Sequence, residues 1–241
     1  MNIKTRGIVF HHIKYSDTSL IATIYTETSG RKSFLIKGVY RPKSLIKPGF
    51  FQPLTLLRLE ISLSAKRDLQ RIKEISPSPV LPNLYSNVNK QAMVFFIAEV
   101  LYKTVREEEP NKSLFEFLDH SIQYLDASEN DIANFHILFL LQLSKFLGFF
   151  PLDNYSETNN VFDALNGSFV PETSNNEYCY SKRISSKFRA IINLSFENAH
   201  TLSLNRIERV ELLEILLELY RLHLHGHLNI QSLQILKELF D

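Results

Sequence analysis

Through its first 75 residues the chain alternates apolar and polar side chains with a period of two, and its apolar runs stand too close together to admit helices between them. Side chains of a strand point alternately to its two faces, so this pattern restricts the segment to a small sheet with one buried face. The runs are Gly7 to Ile13, Leu20 to Thr26, Ser33 to Lys37, Phe51 to Ile61 and Leu69 to Ile75, with Ser29-Gly30 and Gly38 as turn signals. Five short strands without crossover helices imply a small closed antiparallel barrel. An OB-fold suits that count, and an SH3-like barrel suits it almost as well.

Ser76-Pro77-Ser78-Pro79, followed by Pro82, breaks the alternation and reads as a domain boundary. The chain is therefore expected to be α+β in two domains: an OB-fold barrel over 1–78 and an all-α domain over 79–241. Met93, Phe96, Ile97, Val100 and Leu101 share one face of a helix that ends near Glu107-Glu108-Glu109-Pro110. Asn111 is the expected N-cap of the next helix, which carries Leu114, Phe115, Leu118, Ile122 and Leu125. Ser128 with Asp131 is expected to open a third, running from Ile132 to Leu147 and stopping at Gly148. Asn205 with Glu208 has the spacing of a capping box. The helix after it, reaching His225, is expected to bury Ile207, Val210, Leu213, Leu217 and Leu224, and a last helix spans Ile230 to Phe240. Residues 151–181 are polar and turn-rich. Phe162 and Phe169 flank Asn166-Gly167 as in a short hairpin, and the segment reads as an insertion standing away from the helical core.

A formal net charge of +1 conceals two opposite halves. Residues 1–75 hold 14 Lys+Arg against 5 Asp+Glu, whereas the rest hold 13 against 21. A basic module joined to an acidic one suggests a polyanion as partner for the first. Cations displace counterions from phosphates, and exposed aromatic rings give bases a surface to stack on. Arg31, Lys32, Lys37, Arg41, Lys43 and Lys47 on the third run and the loop after it, with Lys14 nearby, supply the first; Tyr25, Phe34 and Tyr40 are interleaved among them, Phe34 as core. Arg58, Arg67 and Arg71 extend the basic surface. The alternative is a non-enzymatic interaction protein whose barrel docks an acidic protein instead of DNA.

Catalytic signatures are missing. No phosphate-binding Gly-x-x-x-x-Gly-Lys loop, Gly-x-Ser-x-Gly elbow, dinucleotide fingerprint or His-Glu-x-x-His helix occurs, so a non-enzyme without cofactor is expected. Cys179 is the single cysteine, which excludes an internal disulfide and any Cys-based zinc knuckle. His223, His225 and His227 cluster, but Gly226 interrupts the helical spacing and no carboxylate completes a site, so no metal is expected. The Glu107–Glu109 run reads as a solvated helix end. No apolar run approaches the roughly 20 residues of a membrane helix, and Met1 to Arg6 leads into a strand, so a cytoplasmic protein without membrane contact is expected.

The ordered series Thr5-Arg6-Gly7-Ile8-Val9, Tyr15-Ser16-Asp17-Thr18-Ser19-Leu20-Ile21, Tyr25-Thr26, Gly30-Arg31 and Lys37-Gly38 resembles the start of the RecO family. Pro42-Lys43-Ser44, Gln52-Pro53-Leu54, Glu108-Glu109-Pro110-Asn111-Lys112-Ser113-Leu114-Phe115 and Leu147-Gly148-Phe149-Phe150-Pro151 are similar to later segments of it. The resemblance implies an OB-fold followed by a helical domain. It implies binding of single- and double-stranded DNA, annealing of complementary strands, and loading of RecA with RecR at the nucleoid. It also implies a contact with the C-terminal tail of the single-stranded-DNA-binding protein. Lys37 matches a basic position of the family. An acidic tail ending in Phe needs an apolar pocket edged by cations. Lys145 on the Ile132–Leu147 helix and the Arg206/Arg209 face of the Asn205–His225 helix are the two candidates. Many members carry a four-cysteine zinc motif in the insertion; Phe162 to Pro171 has none of those ligands, so zinc is not expected.

Overall fold

The computed structural model describes residues 2–129, 132–174, 176–224 and 228–239. The chain divides into two compact units, Met1–Ala127 and Ser128–Asp241.

In the first unit, β1 (Asn2–Lys14), β2 (Leu20–Thr26), β3 (Gly30–Ile36), β4 (Leu56–Ser62) and β5 (Leu69–Pro77) close into a barrel in the order β1-β2-β3-β5-β4. β4 returns to pair with β1. The β3–β5 junction is parallel and has two rungs, Ser33↔Leu69 and Phe34↔Gln70; the other junctions are antiparallel. A three-strand meander closed by two crossed strands is the OB arrangement, which decides between the two barrels the alternation left open. The inward residues Val9, Leu20, Ala22, Ile24, Phe34, Ile36, Leu57, Leu59 and Ile61 pack with Val39 and Phe51. Gly7 stands where a Cβ would lie 2.7 Å from Leu59 Cδ1 and 2.8 Å from Ile24 Cγ2.

The fourth strand begins later than the apolar pattern suggests. Pro48–Phe51 is a 3-10 turn, Leu54 has a φ of 61°, and strand pairing starts at Leu56. Phe51 plugs the barrel from that turn, so burial marks it as core although its backbone is not extended.

Three helices share the barrel's unit: α1 (Asn83–Ser86), α2 (Val88–Thr104) and α3 (Lys112–Ala127). Asn87 caps α2 by accepting from the Asn89 and Lys90 amides, and Asn111 caps α3 through the Leu114 amide at 3.0 Å. Met93, Phe96, Ile97, Val100 and Leu101 are buried on α2. The helix stops at Thr104, and the segment beyond it docks on the barrel, with the Arg31 amide donating to the Glu107 carbonyl at 3.1 Å. Gly30 permits this approach: its φ is +62°, and a Cβ there would meet the Glu109 carbonyl oxygen at 2.5 Å. Gly30→Ala is therefore expected to destabilise the protein by about 1 to 3 kcal/mol, read as a lower urea midpoint; an unchanged midpoint would refute the packing argument. Arg6 ties the same parts together. It forms a fork on Glu27 at 2.9 Å, reaches Asp119 of α3 at 3.3 Å and lies over the Phe115 ring.

The second unit contains α4 (Phe135–Phe146), a hairpin of β6 (Val161–Asp163) and β7 (Ser168–Val170), α5 (Lys182–Ile192), α6 (Arg206–His223) and α7 (Leu233–Leu239). Several sequence expectations are corrected here. α4 starts at Phe135 rather than Ile132: the Phe135 amide bonds to the Ile132 carbonyl in a tight turn, and the Asn134 side chain donates to the Leu202 carbonyl. Asp131 lies outside the described residues. Gly148 ends the helix with a φ of +86°, as expected.

The capping box of α6 is reciprocal, with Glu208 N–H on Asn205 Oδ1 at 2.9 Å and Asn205 N–H on Glu208 Oε2 at 3.1 Å. Its buried face is the expected one only in part: Leu213 is buried and Val210, Leu217 and Leu224 are half-buried. Leu212, Leu213, Ile215, Leu216, Leu219 and Tyr220 are buried, while Ile207 is 68% exposed. Leucines occur all round α6, so spacing alone does not select a face; the Tyr220 hydroxyl, donating to the Leu140 carbonyl at 2.7 Å, belongs to the side that turns inward. α7 begins at Leu233, with Ile230 buried ahead of it, and Phe240 lies outside the described residues.

The hairpin forms where Asn166-Gly167 predicts it, with Phe162 opposite Phe169. It does not stand away from the core. Phe162 packs on Phe188 of α5 at 4.2 Å between ring centroids and on Phe169 at 5.3 Å, and its amide donates to Ser185 Oγ. Buried Asp163 accepts from the Leu165 and Asn166 amides and from the side chains of Asn166 and Asn176. Aromatic packing and one carboxylate shared among four donors thus hold a segment that carries no cysteine ligands. Among the described residues no group of three or more His, Cys, Asp or Glu could hold a metal ion. His223 packs on Phe149 and contacts the Ala164 carbonyl at 3.1 Å; His225 and His227 lie outside the described residues. Among the described residues no helix is long and apolar enough to cross a membrane.

Candidate nucleic-acid interface

β3 and β5 share only two rungs before they diverge, and a groove of about 400 Å³ opens where they part. Lys37, just past the end of β3, lines it together with Arg67 and Arg71, and Leu35, Ile36, Ile46, Leu69 and Ile72 form its apolar lining. The loop after Lys37 is exposed and carries Arg41, Lys43 and Lys47. Among the described residues none of these six cations is within ion-pair distance of a carboxylate. A second groove, of about 730 Å³, shares Arg67 with the first and is lined by the cations Arg31, Lys32 and Arg106 and the carboxylates Asp68 and Glu108.

The remaining predicted cations differ in what they touch. Arg31 is half-buried, donates from Nη1 to the Tyr102 and Val105 carbonyls at 2.7 and 2.9 Å, and lies over the Tyr102 ring. Burial lowers its pKa. Its guanidinium fastens the end of α2 to the barrel, and the residue also lines the larger groove. Lys32 pairs with Glu108 at 2.9 Å, so an incoming phosphate must displace a carboxylate there. Lys14 stands 3.8 Å from Asp17 with both side chains exposed, a contact of little energetic weight. Arg58, opposite Arg6 in the β1–β4 ladder, lines a different groove with Lys4, Glu60 and Glu74 and does not extend this surface.

Of the interleaved aromatics, only Tyr40 reaches the surface. Phe34 is core, as expected, whereas Tyr25 is stacked between Phe10 and Phe115, and burial pushes its hydroxyl up to about 12. Arg106 escapes a reading of the sequence because it follows a helix and meets the β4–β5 loop only through tertiary packing.

In the second unit Arg206, Arg209, Val210 and Leu213 of α6 line a small depression with His136 of α4 and Leu236 and Lys237 of α7. Arg209 donates from Nη1 to the Leu204 carbonyl, while its buried Nε has no partner among the described residues. Lys145 is not among the lining residues. It sits nine positions beyond His136 on α4, roughly 13 Å along the axis.

Burial, with Arg209 adding a repulsive charge, pushes the His136 imidazole down to about 3. In the unfolded chain a histidine titrates near about 6.5. Between those values the unfolded chain binds a proton that the folded chain refuses, so stability falls as pH drops below about 6.5. Acidification to about pH 5 is expected to cost about 2 kcal/mol through this residue. Urea midpoints of wild type and His136→Leu at neutral pH and pH 5 test it; parallel losses in both proteins would contradict the assignment.

An OB-type barrel bearing a cationic groove, followed in the chain by a helical unit, defines a class of barrel-and-helix proteins. The family model described as Recombination protein O N terminal matches residues 1–79, and that described as Recombination protein O C terminal matches 85–231. The chain is 41% identical over 243 aligned positions to the DNA repair protein RecO of Bacteroides fragilis, covering 99% of each. It is 36% identical to the protein of that name from Flavobacterium psychrophilum and 31% identical to that from Porphyromonas gingivalis, over the full length of both chains in each case. The chain belongs to the RecO family, a family of DNA repair and recombination.

Proposed function

We propose that this chain is a recombination mediator, working at the nucleoid in the cytoplasm, that holds single- and double-stranded DNA on its barrel and anneals complementary strands. With RecR it helps to load RecA onto single strands coated by the single-stranded-DNA-binding protein. The observation that carries this reading is the set of unpaired cations, Lys37, Arg41, Lys43, Lys47, Arg67 and Arg71, around the β3–β5 groove and its adjoining loop. Cations already paired to carboxylates would gain little from phosphate; these six release counterions from a strand at no cost in broken ion pairs. Two strands neutralised on one surface repel each other less, which favours their pairing without any covalent step. The acidic tail of the single-stranded-DNA-binding protein docks in this reading on the second unit, where Arg206, Arg209 and Lys237 stand beside the apolar Val210, Leu213 and Leu236.

Annealing of two dye-labelled complementary oligonucleotides tests the reading. Wild type is expected to accelerate pairing, and Lys37→Ala/Arg67→Ala/Arg71→Ala to do so far less. Equal rates with and without wild-type protein would sink the annealing role.

A further inference from the structure

We propose that Tyr15 and Tyr40 form a stacking platform for unpaired bases, separate from the β3–β5 groove that takes phosphates from paired and unpaired strands alike. The inference rests on the DNA reading above. Tyr15 is 60% exposed and Tyr40 37% exposed, large aromatic surfaces left in water on a unit that buries Tyr25 and Phe34 completely. Both are held by short hydrogen-bonded turns. The Tyr15 and Ser16 amides bond to the Ser19 carbonyl at 2.9 and 3.1 Å, and the Arg41 amide bonds to that of Gly38 at 3.1 Å. The Tyr40 amide donates to the Thr18 carbonyl at 3.4 Å, which joins the two turns. Exposed Ile13 and Leu45 extend the apolar surface of the same two segments. Lys14, Arg41 and Lys43 are adjacent in sequence and exposed, so a strand whose bases lie on the rings meets cations for its phosphates.

The grooves along β3 and β5 have a different chemistry. No aromatic side chain lines either of them; their apolar contacts are aliphatic. A duplex keeps its bases stacked on one another and presents phosphates, so the grooves satisfy it and the tyrosines gain nothing from it. A single strand engages both surfaces, because every base has a face that an aromatic ring can cover. The barrel then distinguishes the two states. Annealing withdraws bases from the tyrosines and lowers affinity, which releases the paired product.

Fluorescence anisotropy with three labelled probes of equal length tests this: oligo-dT, the same backbone without bases, and a duplex. Tyr15→Ala/Tyr40→Ala is expected to lose about tenfold or more in affinity for oligo-dT and to stay within about twofold of wild type on the other two probes. Tyr15→Phe/Tyr40→Phe, which keeps the rings, is expected to match wild type on all three. Lys37→Ala/Arg71→Ala is expected to weaken all three. If the tyrosine variant loses nothing, or loses equally on every probe, the stacking platform is overturned while the phosphate groove stands. If the groove variant binds every probe like wild type, the groove is overturned as the phosphate site; if wild type binds none of the probes at low salt, the DNA reading itself fails, and this inference with it.

Discussion

Lys37→Ala/Arg67→Ala/Arg71→Ala is expected to bind a single-stranded oligonucleotide on the order of 100-fold more weakly than wild type at about 0.1 M salt. Three side chains that converge on one groove are removed, and none has an ion pair within the described protein whose loss would disturb the fold. Each phosphate contact on a single strand releases a fraction of a counterion, so the salt dependence should become shallower by about 2 logarithmic units per decade. Arg58→Ala provides the control. It removes an equally exposed cation from the groove shared with Glu60 and Glu74 and should leave affinity unchanged. Affinity of the triple variant within twofold of wild type would remove the groove from the account.

The second large effect concerns stability. Phe162→Ala is expected to cost about 3 to 5 kcal/mol, because Phe162 is fully buried and joins Phe169 of the hairpin to Phe188 of α5. Its removal leaves an aromatic-sized hole between β6 and α5, where no cysteine cluster takes over. Thermal melts followed by far-ultraviolet circular dichroism should show a fall in Tm on the order of 10 °C. A shift below about 2 °C would mean that the hairpin contributes little to the second unit. Excess chelator, in contrast, should leave the wild-type melt unmoved, since Asp163 is satisfied by amide and carboxamide donors.

What was legible in the sequence followed from short-range physics. The two-residue alternation located β2 and β5 within a residue or two, and side-chain capping located the starts of α3 and α6, because a cap is decided within four residues of itself. Asn166-Gly167 marked its hairpin for the same reason: the turn needs a positive φ, which Gly167 supplies at +60°. Features that depend on distant partners were not legible. Nothing in the spacing of α6 revealed that Ile207 would face solvent, nor that α5 would form and receive Phe162. The basic character of the barrel was readable by counting, but composition does not distinguish a bound cation from an available one. Arg31 and Lys37 look alike in the sequence, yet Arg31 holds two backbone carbonyls of the α2 end while Lys37 stands on the rim of a groove. Arg106 joined the site for the converse reason, through a fold that brings position 106 beside position 67.

The most direct test of the central claim is equilibrium binding of wild type to a fluorescent single-stranded oligonucleotide across a salt series. Six available cations on the barrel predict micromolar or tighter binding at low salt and a slope of log affinity against log salt near about −4. Absence of binding at low salt, or binding without salt dependence, would contradict DNA as the barrel's ligand. The basic half of this chain would then have to be a docking surface for an acidic protein.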